Sequence, residues 1–402
     1  MTLQKSIFLN KVLNFVILCY YYCDDNMKKL IKYMDKKLLI ATIILFVFGL
    51  IMIFSASNVT AYMFGASPSR YFYKQSLFLF GSFIGCTIMM FIPTSKYKKL
   101  SWVALIGVTF LVFVALVYGT VVNDASGWIG IGGLGIQPSE FAKVVIIMWL
   151  ACYYETTRDE EFYNDTAKMF FPLFVIGIIT FLIILQNDYG TALIFLLISM
   201  FIFLLSPTSK KIKLLVVGTG TFLVITIVVL CLTGVISFLS SDKLARFNFF
   251  DPCSRYLNEG NQVCNGYIAI NGGGIFGKGL GNSTQKYLYL PEGHTDFIFA
   301  IIVEELGIVG AILLMLLYMF VLIRIILIGK KASKNYQALI CYGVFFYLFS
   351  HIVINLGGVL GLMPLTGIPL PFMSYGGSFA LSTCIALTMV QRICFEINQQ
   401  KN

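Results

Sequence analysis

The chain has 402 residues, of which 58% are hydrophobic and only 12% charged, and its formal net charge is +10. With a mean hydropathy of +0.85, this balance excludes a soluble globule and fits a polytopic membrane protein. The positive charge points to lysines held on the cytoplasmic side and to anionic lipid headgroups, with no nucleic acid as partner. No Walker loop, zinc-knuckle spacing or dinucleotide fingerprint points to a nucleotide-driven pump.

Residues 1–35 read as an N-terminal cytoplasmic or interfacial segment. The run from Ile7 to Cys23 is apolar but broken by Asn10, Lys11 and Asn14, and no small-residue cleavage site follows it. Two readings stay open there: an interfacial helix, or sequence upstream of the true start, since Met27 and Met34 precede better-patterned sequence. From Leu38 to Ile393 apolar runs recur without a soluble-sized gap. Windows of about 20 residues, the length that spans a bilayer, begin with Leu38 to Ser57. The others centre near Phe83, Thr109, Ile146, Ile176, Leu197, Val224, Leu313, Phe345 and Leu387. The expectation is an all-α integral membrane bundle of about ten transmembrane helices over residues 36–396. A large extracytoplasmic loop, residues 238–296, separates its seventh and eighth helices, and residues 397–402 form a cytoplasmic tail.

Lysine and arginine fall on alternate loops: Lys36 and Lys37, SKYKKL from Ser95, SKKIK from Ser209, GKKASKN from Gly329, and Arg392. Retention of such loops inside places both termini in the cytoplasm. The other face holds the irregular sequence, namely NDASGWIGIGGLGIQPSE after the third window, the 238–296 loop, and the Pro/Gly-rich stretch Leu356 to Gly377. Cys86, Cys152, Cys231, Cys341 and Cys384 sit in apolar runs as small hydrophobes. Cys253 and Cys264 share the outer loop, where oxidation is permitted, and whether they pair stays open.

The densest chemistry lies in Tyr289 to Gly307, YLPEGHTDFIFAIIVEELG, where Glu292, His294, Asp296, Glu304 and Glu305 crowd the mouth of an apolar helix. Ionisable groups are costly at a membrane edge and mark function by default. The bland alternatives are specific. Thr295 or Asp296 could cap the helix, Glu292 could be a solvated loop acid, and Glu304 and Glu305 could be structural or line a groove.

Four strings in order, QPSEFAK at Gln137, QNDYGTAL at Gln186, GNSTQKYLYLPEGHTDFIFAIIVEELG at Gly281 and GLMPLTGIPLPFMSYGGS at Gly361, resemble the SEDS family of cell-wall glycosyltransferases. The resemblance runs from about Leu38 to Arg392. The form GNSxQKxxYLPExHTDF is closer to the division branch, FtsW and its sporulation relative SpoVE, than to the elongation branch, RodA. Gly293 stands where Ala is common, and QNDYG replaces QPDLG; neither change removes a chemically active group.

The resemblance implies polymerisation of lipid II on the outer face of the plasma membrane, at the division septum, with release of undecaprenyl diphosphate. It also implies a class B penicillin-binding protein transpeptidase and small single-pass divisome proteins as partners, alongside membrane lipids. The reaction needs a base for the attacking sugar hydroxyl, cationic or dipolar help for the pyrophosphate, and a lipid-accessible groove. Asp296 is the candidate base, because burial brings a carboxyl toward the range of a working base and the family's essential outer-loop aspartate falls at this position. His294 is a second candidate base or a partner orienting Asp296. Lys143 and Arg246 are candidates for the pyrophosphate, with Lys143 alternatively pairing Glu140 one turn back. Trp128 could stack on a sugar ring or belong to an interfacial aromatic belt. Glu292 could bind substrate or a divalent cation, Mg2+ or Mn2+. Ser374, with Tyr375 and Ser378, would supply neutral hydrogen bonds from a re-entrant 363–378 segment beneath Asp296. Asp188 reads as a turn former, and His351 as a satisfied core histidine. A polyprenyl-lipid flippase would use the same intramembrane acids, a divisome scaffold would need no catalytic aspartate, and a RodA-like elongation role is the alternative within the family.

Overall fold

The computed structural model describes residues 28–122, 125–131, 134–156, 166–220, 251–255, 260–287 and 289–401. The first helices are α1 (Lys36–Met63), α2 (Arg70–Met90) and α3 (Tyr97–Tyr118). A small sheet follows, made of β1 (Thr120–Val122), β2 (Ala125–Ile131) and β3 (Leu134–Ile136), and then α4 (Pro138–Thr156), α5 (Thr166–Leu185) and α6 (Tyr189–Leu205). Beyond residue 250 lie α7 (Asn261–Gly273), α8 (Ile298–Lys331), α9 (Asn335–Val359) and α10 (Gly377–Gln400). Each apolar window falls on one of these helices, except that centred near Val224, which lies outside the described residues. Among the described residues six helices are long and apolar enough to cross a membrane.

Burial sorts the helices as a lipid solvent requires. In α1, Ile40, Ile43, Ile44, Val47, Ile51 and Phe54 are exposed while Leu38, Leu45, Met52 and Ile53 are buried. The three- and four-residue spacing puts the first set on one face, an apolar surface suited to lipid or to another membrane helix. On α4, by contrast, Ile146, Ile147, Trp149, Leu150 and Ala151 are all fully buried. That helix is the centre of the bundle, packed by α3, α6, α9 and α10.

At one end of the bundle ion pairs and charged hydrogen bonds tie the helices together. Asp35 caps α1 through Leu38 N (2.9 Å), pairs with Arg324 of α8, and meets Gln391 of α10 through its backbone. Nearby Glu396 accepts from Thr94 N (2.8 Å), Gln337 Nε2 (3.0 Å) and Arg392 Nε (3.1 Å). These residues come from the start of α1, the α2–α3 turn, α8, α9 and the end of α10.

Three features of the far end were not evident in the sequence. The Gly-rich stretch after α3 is an antiparallel meander in the order β1-β2-β3, with Thr120 opposite Trp128 and Ile129 opposite Ile136. Cys253 is disulfide-bonded to Cys264, tying the turn at Pro252–Arg255 to α7. Lastly, α8 is broken at Gly307, whose φ of 71° and ψ of −174° leave the helix. The loop after α7 satisfies the broken backbone in both directions. Lys278 N and Gly279 N (both 2.9 Å) donate to Glu304 O and Glu305 O, while Ile308 N and Val309 N donate to Gly274 O (3.0 Å) and Ile275 O (3.2 Å). A side chain at residue 307 would collide with Ile275 O and Gly277 N, so the loop and the break require glycine there. Non-helical backbone at membrane depth survives only with this kind of accounting.

Candidate active site

The segment before α8 folds as a tight turn. Glu292 has a φ of 53°, an uncommon conformation for a side-chain-bearing residue. Its carbonyl accepts from Thr295 N (3.1 Å) and Phe297 N (3.2 Å), and its carboxylate accepts from Thr295 Oγ1 (2.6 Å). The N-cap of α8 is Phe297, with no side-chain cap bond. The capping role considered for Thr295 or Asp296 is therefore not taken. Asp296 is buried at 7% exposure, with Thr295 Oγ1 3.3 Å from its Oδ1.

Two outside elements fix Asp296. Asn355 of α9 donates from one amide nitrogen to Asp296 O (2.7 Å) and to Ile368 O (2.8 Å), bridging the aspartate to the Pro/Gly-rich 360–376 segment. That segment returns the contact: Ser374 Oγ donates to Thr295 O (2.5 Å), and Tyr375 N donates to His294 O (3.0 Å). Gly367, at a φ of 68°, passes close to the Asp296 carboxylate, where even an added Cβ would stand only 3.9 Å from Oδ2. The expected re-entrant segment thus lies against Asp296. Ser374, also accepting from Leu370 N at 2.7 Å, spends its hydroxyl on backbone.

The other motifs are locked to the same place. Ser378 Oγ accepts from Gln137 N (2.9 Å), and Gln137 Nε2 donates to Asp188 Oδ2 (2.7 Å). Asp188 Oδ1 caps α6 through Thr191 N (3.0 Å), so it is a helix cap as well as a turn residue. Lys143 is buried at 1% exposure. Its ammonium lies 2.8 Å from Glu140 Oε1 and 3.1 Å from His351 Nε2, over the rings of Tyr347 and Phe379. The opposite ring nitrogen of His351 is 3.3 Å from Pro369 O. Lys143 therefore supports the re-entrant segment from behind. Trp128 lies half-buried on β2, its ring edge against Gly135. Arg246 lies outside the described residues.

Aromatic rings form the wall beside Asp296. His294 packs at a tilt against Tyr71 of α2 (4.7 Å between centroids) and Tyr375 (5.9 Å), while Tyr71 and Tyr375 meet edge to face at 5.0 Å. Burial pushes the His294 imidazole below its ordinary pKa although Glu292 pulls it upward, so the ring is neutral near pH 7. Burial, with Tyr71 adding, pushes the Tyr375 phenol up against the opposing charge of Arg70. The phenol keeps its proton, and Arg70 sits within electrostatic reach of the wall. Sequence reasoning passed over Arg70, Tyr71 and Asn355. The only signal was the polar cluster RYFYKQ opening α2, which reads equally well as an ordinary helix boundary. Among the described residues no three His, Cys, Asp or Glu side chains gather as a metal site.

The Cell cycle protein family of FtsW, RodA and SpoVE matches residues 36–399. The chain is 36% identical over 387 residues to a probable peptidoglycan glycosyltransferase FtsW of Bacillus subtilis (strain 168), covering 94% of each chain. It is 34% identical over 368 residues to the protein of that name from Coxiella burnetii, covering 90% of this chain and 96% of the relative. In fold it is similar to a chain of a peptidoglycan synthase complex that coordinates polymerization and crosslinking. The TM-score is 0.72 at 23% identity, over 90% of this chain and 98% of the other. The rod shape determining protein RodA of Thermus thermophilus is also similar, with a TM-score of 0.64 at 23% identity, over 90% and 96% of the two chains.

Proposed function

Because the chain belongs to the FtsW, RodA and SpoVE family, we propose that it is a peptidoglycan glycosyltransferase, joining lipid II disaccharides into glycan strands during cell division. The observation that carries the reading is the buried Asp296, held by α9 and the re-entrant segment at the mouth of α8. In the reaction, a sugar hydroxyl of one lipid II attacks the anomeric carbon of another. The new carbon–oxygen bond forms as the bond to the pyrophosphate breaks, and undecaprenyl diphosphate leaves with the electron pair. Asp296 takes the hydroxyl proton, a general-base role worth about 10²–10⁴ in rate. His294, neutral and flanked by Tyr71 and Tyr375, shapes the acceptor side.

Arg70, within electrostatic reach of Tyr375, is a candidate cation for the pyrophosphate, and Arg246 is another. Lys143, its ammonium enclosed by Glu140 and His351, is read as positioning the 368–370 backbone. Trp128 keeps the sugar-stacking role, and Ser374 holds the segment that floors the groove. A divalent cation would arrive with the substrate's phosphates and take one or two carboxylates, the usual Mg2+ arrangement; Glu292 and Asp296 are the carboxylates of this turn. The lysine-rich end is assigned to the cytoplasm with both termini, and the Asp296 end to the outer face at the septum. A class B penicillin-binding protein and small single-pass proteins are the partners this role requires. The test is purified chain with labelled lipid II, with and without the transpeptidase and divalent ions. Glycan ladders support the reading; lipid movement across vesicles without polymer would replace it with the flippase.

A further inference from the structure

The carboxylates at the break of α8 are not used by the reaction above, yet they are the most heavily bonded side chains near it. Glu304 is fully buried. It accepts from Lys278 Nζ (2.7 Å), Ser283 Oγ (2.5 Å), Thr284 Oγ1 (2.7 Å), Thr284 N (3.0 Å) and Gln285 N (3.3 Å). Glu305, equally buried, accepts from Ser55 Oγ of α1 (2.6 Å) and Ser283 N (3.4 Å), with Lys286 Nζ 3.6 Å away. Burying two adjacent carboxylates costs several kcal/mol each unless such partners are supplied, and nearly all come from residues 278–286.

Gly279 and Gly281 in that loop, and Gly277 just before it, adopt positive φ, and glycine backbone restrains itself little without outside bonds. Its near end is bonded to the last turn of the half-helix 298–306 by the backbone bonds at Glu304 O and Glu305 O. Its far end is joined to the turn carrying the aspartate. Leu290 N donates to Gln285 O (3.0 Å), and Asn265 of α7 donates to Tyr289 O (2.6 Å). Asp296 therefore lies in a closed circuit whose two ends meet at one clasp, and Ser55 fastens that clasp to α1.

We propose that Glu304 and Glu305 are positioning residues: by clasping residues 278–286 they set the depth and direction at which the half-helix presents Asp296. The proposal rests on the glycosyltransferase reading, and its test has a readout independent of turnover. Hydrogen exchange is followed at the amides of residues 278–286 in the full chain, and steady-state polymerisation is measured on the same preparations. Glu304→Gln should raise exchange across the loop at least tenfold and lower kcat about 10²-fold, the effect of an ångström-scale misplacement, with KM changed less than threefold. Glu304→Asp, which keeps the charge, should recover part of both. Unchanged loop exchange in Glu304→Gln overturns the proposal, as does a loosened loop with full kcat per folded molecule. Should Glu304→Gln fail to fold, Ser283→Ala and Thr284→Val each remove donors and should show the same paired changes, smaller in size; changes in neither overturn it. If the unaltered chain makes no polymer, the glycosyltransferase reading falls, while the exchange arm still decides whether the clasp exists.

Discussion

Asn355 is the residue whose loss should most cleanly separate the site from the rest of the bundle. Its amide nitrogen holds Asp296 O and Ile368 O at 2.7 and 2.8 Å inside a buried contact, while its Oδ1 has no partner among the described residues. Asn355→Leu keeps the volume but leaves two buried carbonyls unpaired, at about 1–3 kcal/mol each. The expected loss is about 2–6 kcal/mol, read as a lower unfolding midpoint in detergent. Because the same nitrogen sets the distance between aspartate and re-entrant segment, kcat should fall about 10²-fold. Asn355→Asp should be worse than Leu, since it turns an oxygen toward two carbonyl oxygens. A Leu variant with unchanged midpoint and turnover, or an Asp variant milder than Leu, would refute the reasoning.

Other substitutions probe separate links. Gly307→Ala adds a side chain at positive φ against the backbone of Ile275 and Gly277 and should cost about 2–5 kcal/mol; an unfolding midpoint equal to the parent's would mean that the break is not required. Burial holds the His294 pKa below its ordinary value, so the unfolded chain binds its proton first as pH drops. Stability should then decline below about pH 6.5, and His294→Phe should flatten that part of the midpoint-against-pH curve; parallel curves would show that the ring does not titrate this way. Reducing the Cys253–Cys264 bond, or replacing both residues with Ser, should cost about 2–3 kcal/mol, seen as faster proteolysis of the 251–264 region; identical cleavage rates would count against the staple.

The spans were legible because lipid imposes a length and a composition, and α1 or α9 can be marked from hydropathy alone. The charged mouth of α8 was legible because acids at Glu292, Asp296, Glu304 and Glu305 have no cheap reason to sit beside apolar helix. What was hidden depends on distant contacts or local geometry. The partner that completes the Glu140–Lys143 pair is His351, 208 residues beyond Lys143, and no local pattern announces it. The break at Gly307 lies within an apolar run that reads as continuous helix until the loop at 274–279 is seen to take over its hydrogen bonds. The meander strands alternate apolar residues with glycine, as in Ile129-Gly130-Ile131 and Leu134-Gly135-Ile136, so the apolar–polar alternation that marks a strand is missing. Arg70 and Tyr71 gain meaning only when α2 is placed beside Tyr375 and His294. Whether Thr295 or Asp296 caps α8 could not be read locally either: the turn at Glu292 takes up the Thr295 hydroxyl.

The most direct test of the account is glycan-strand synthesis by Asp296→Asn, measured with purified chain, lipid II and a class B transpeptidase. The variant keeps the size of the side chain, and Asp296 O still accepts from Asn355, so folding and partner binding should match the parent. Polymer formation should fall by at least about 10²-fold, the lower bound for losing a general base. Full polymer yield from the folded variant would contradict the assignment of Asp296, and a defect confined to lipid movement in a synthesis-free assay would contradict the glycosyltransferase itself.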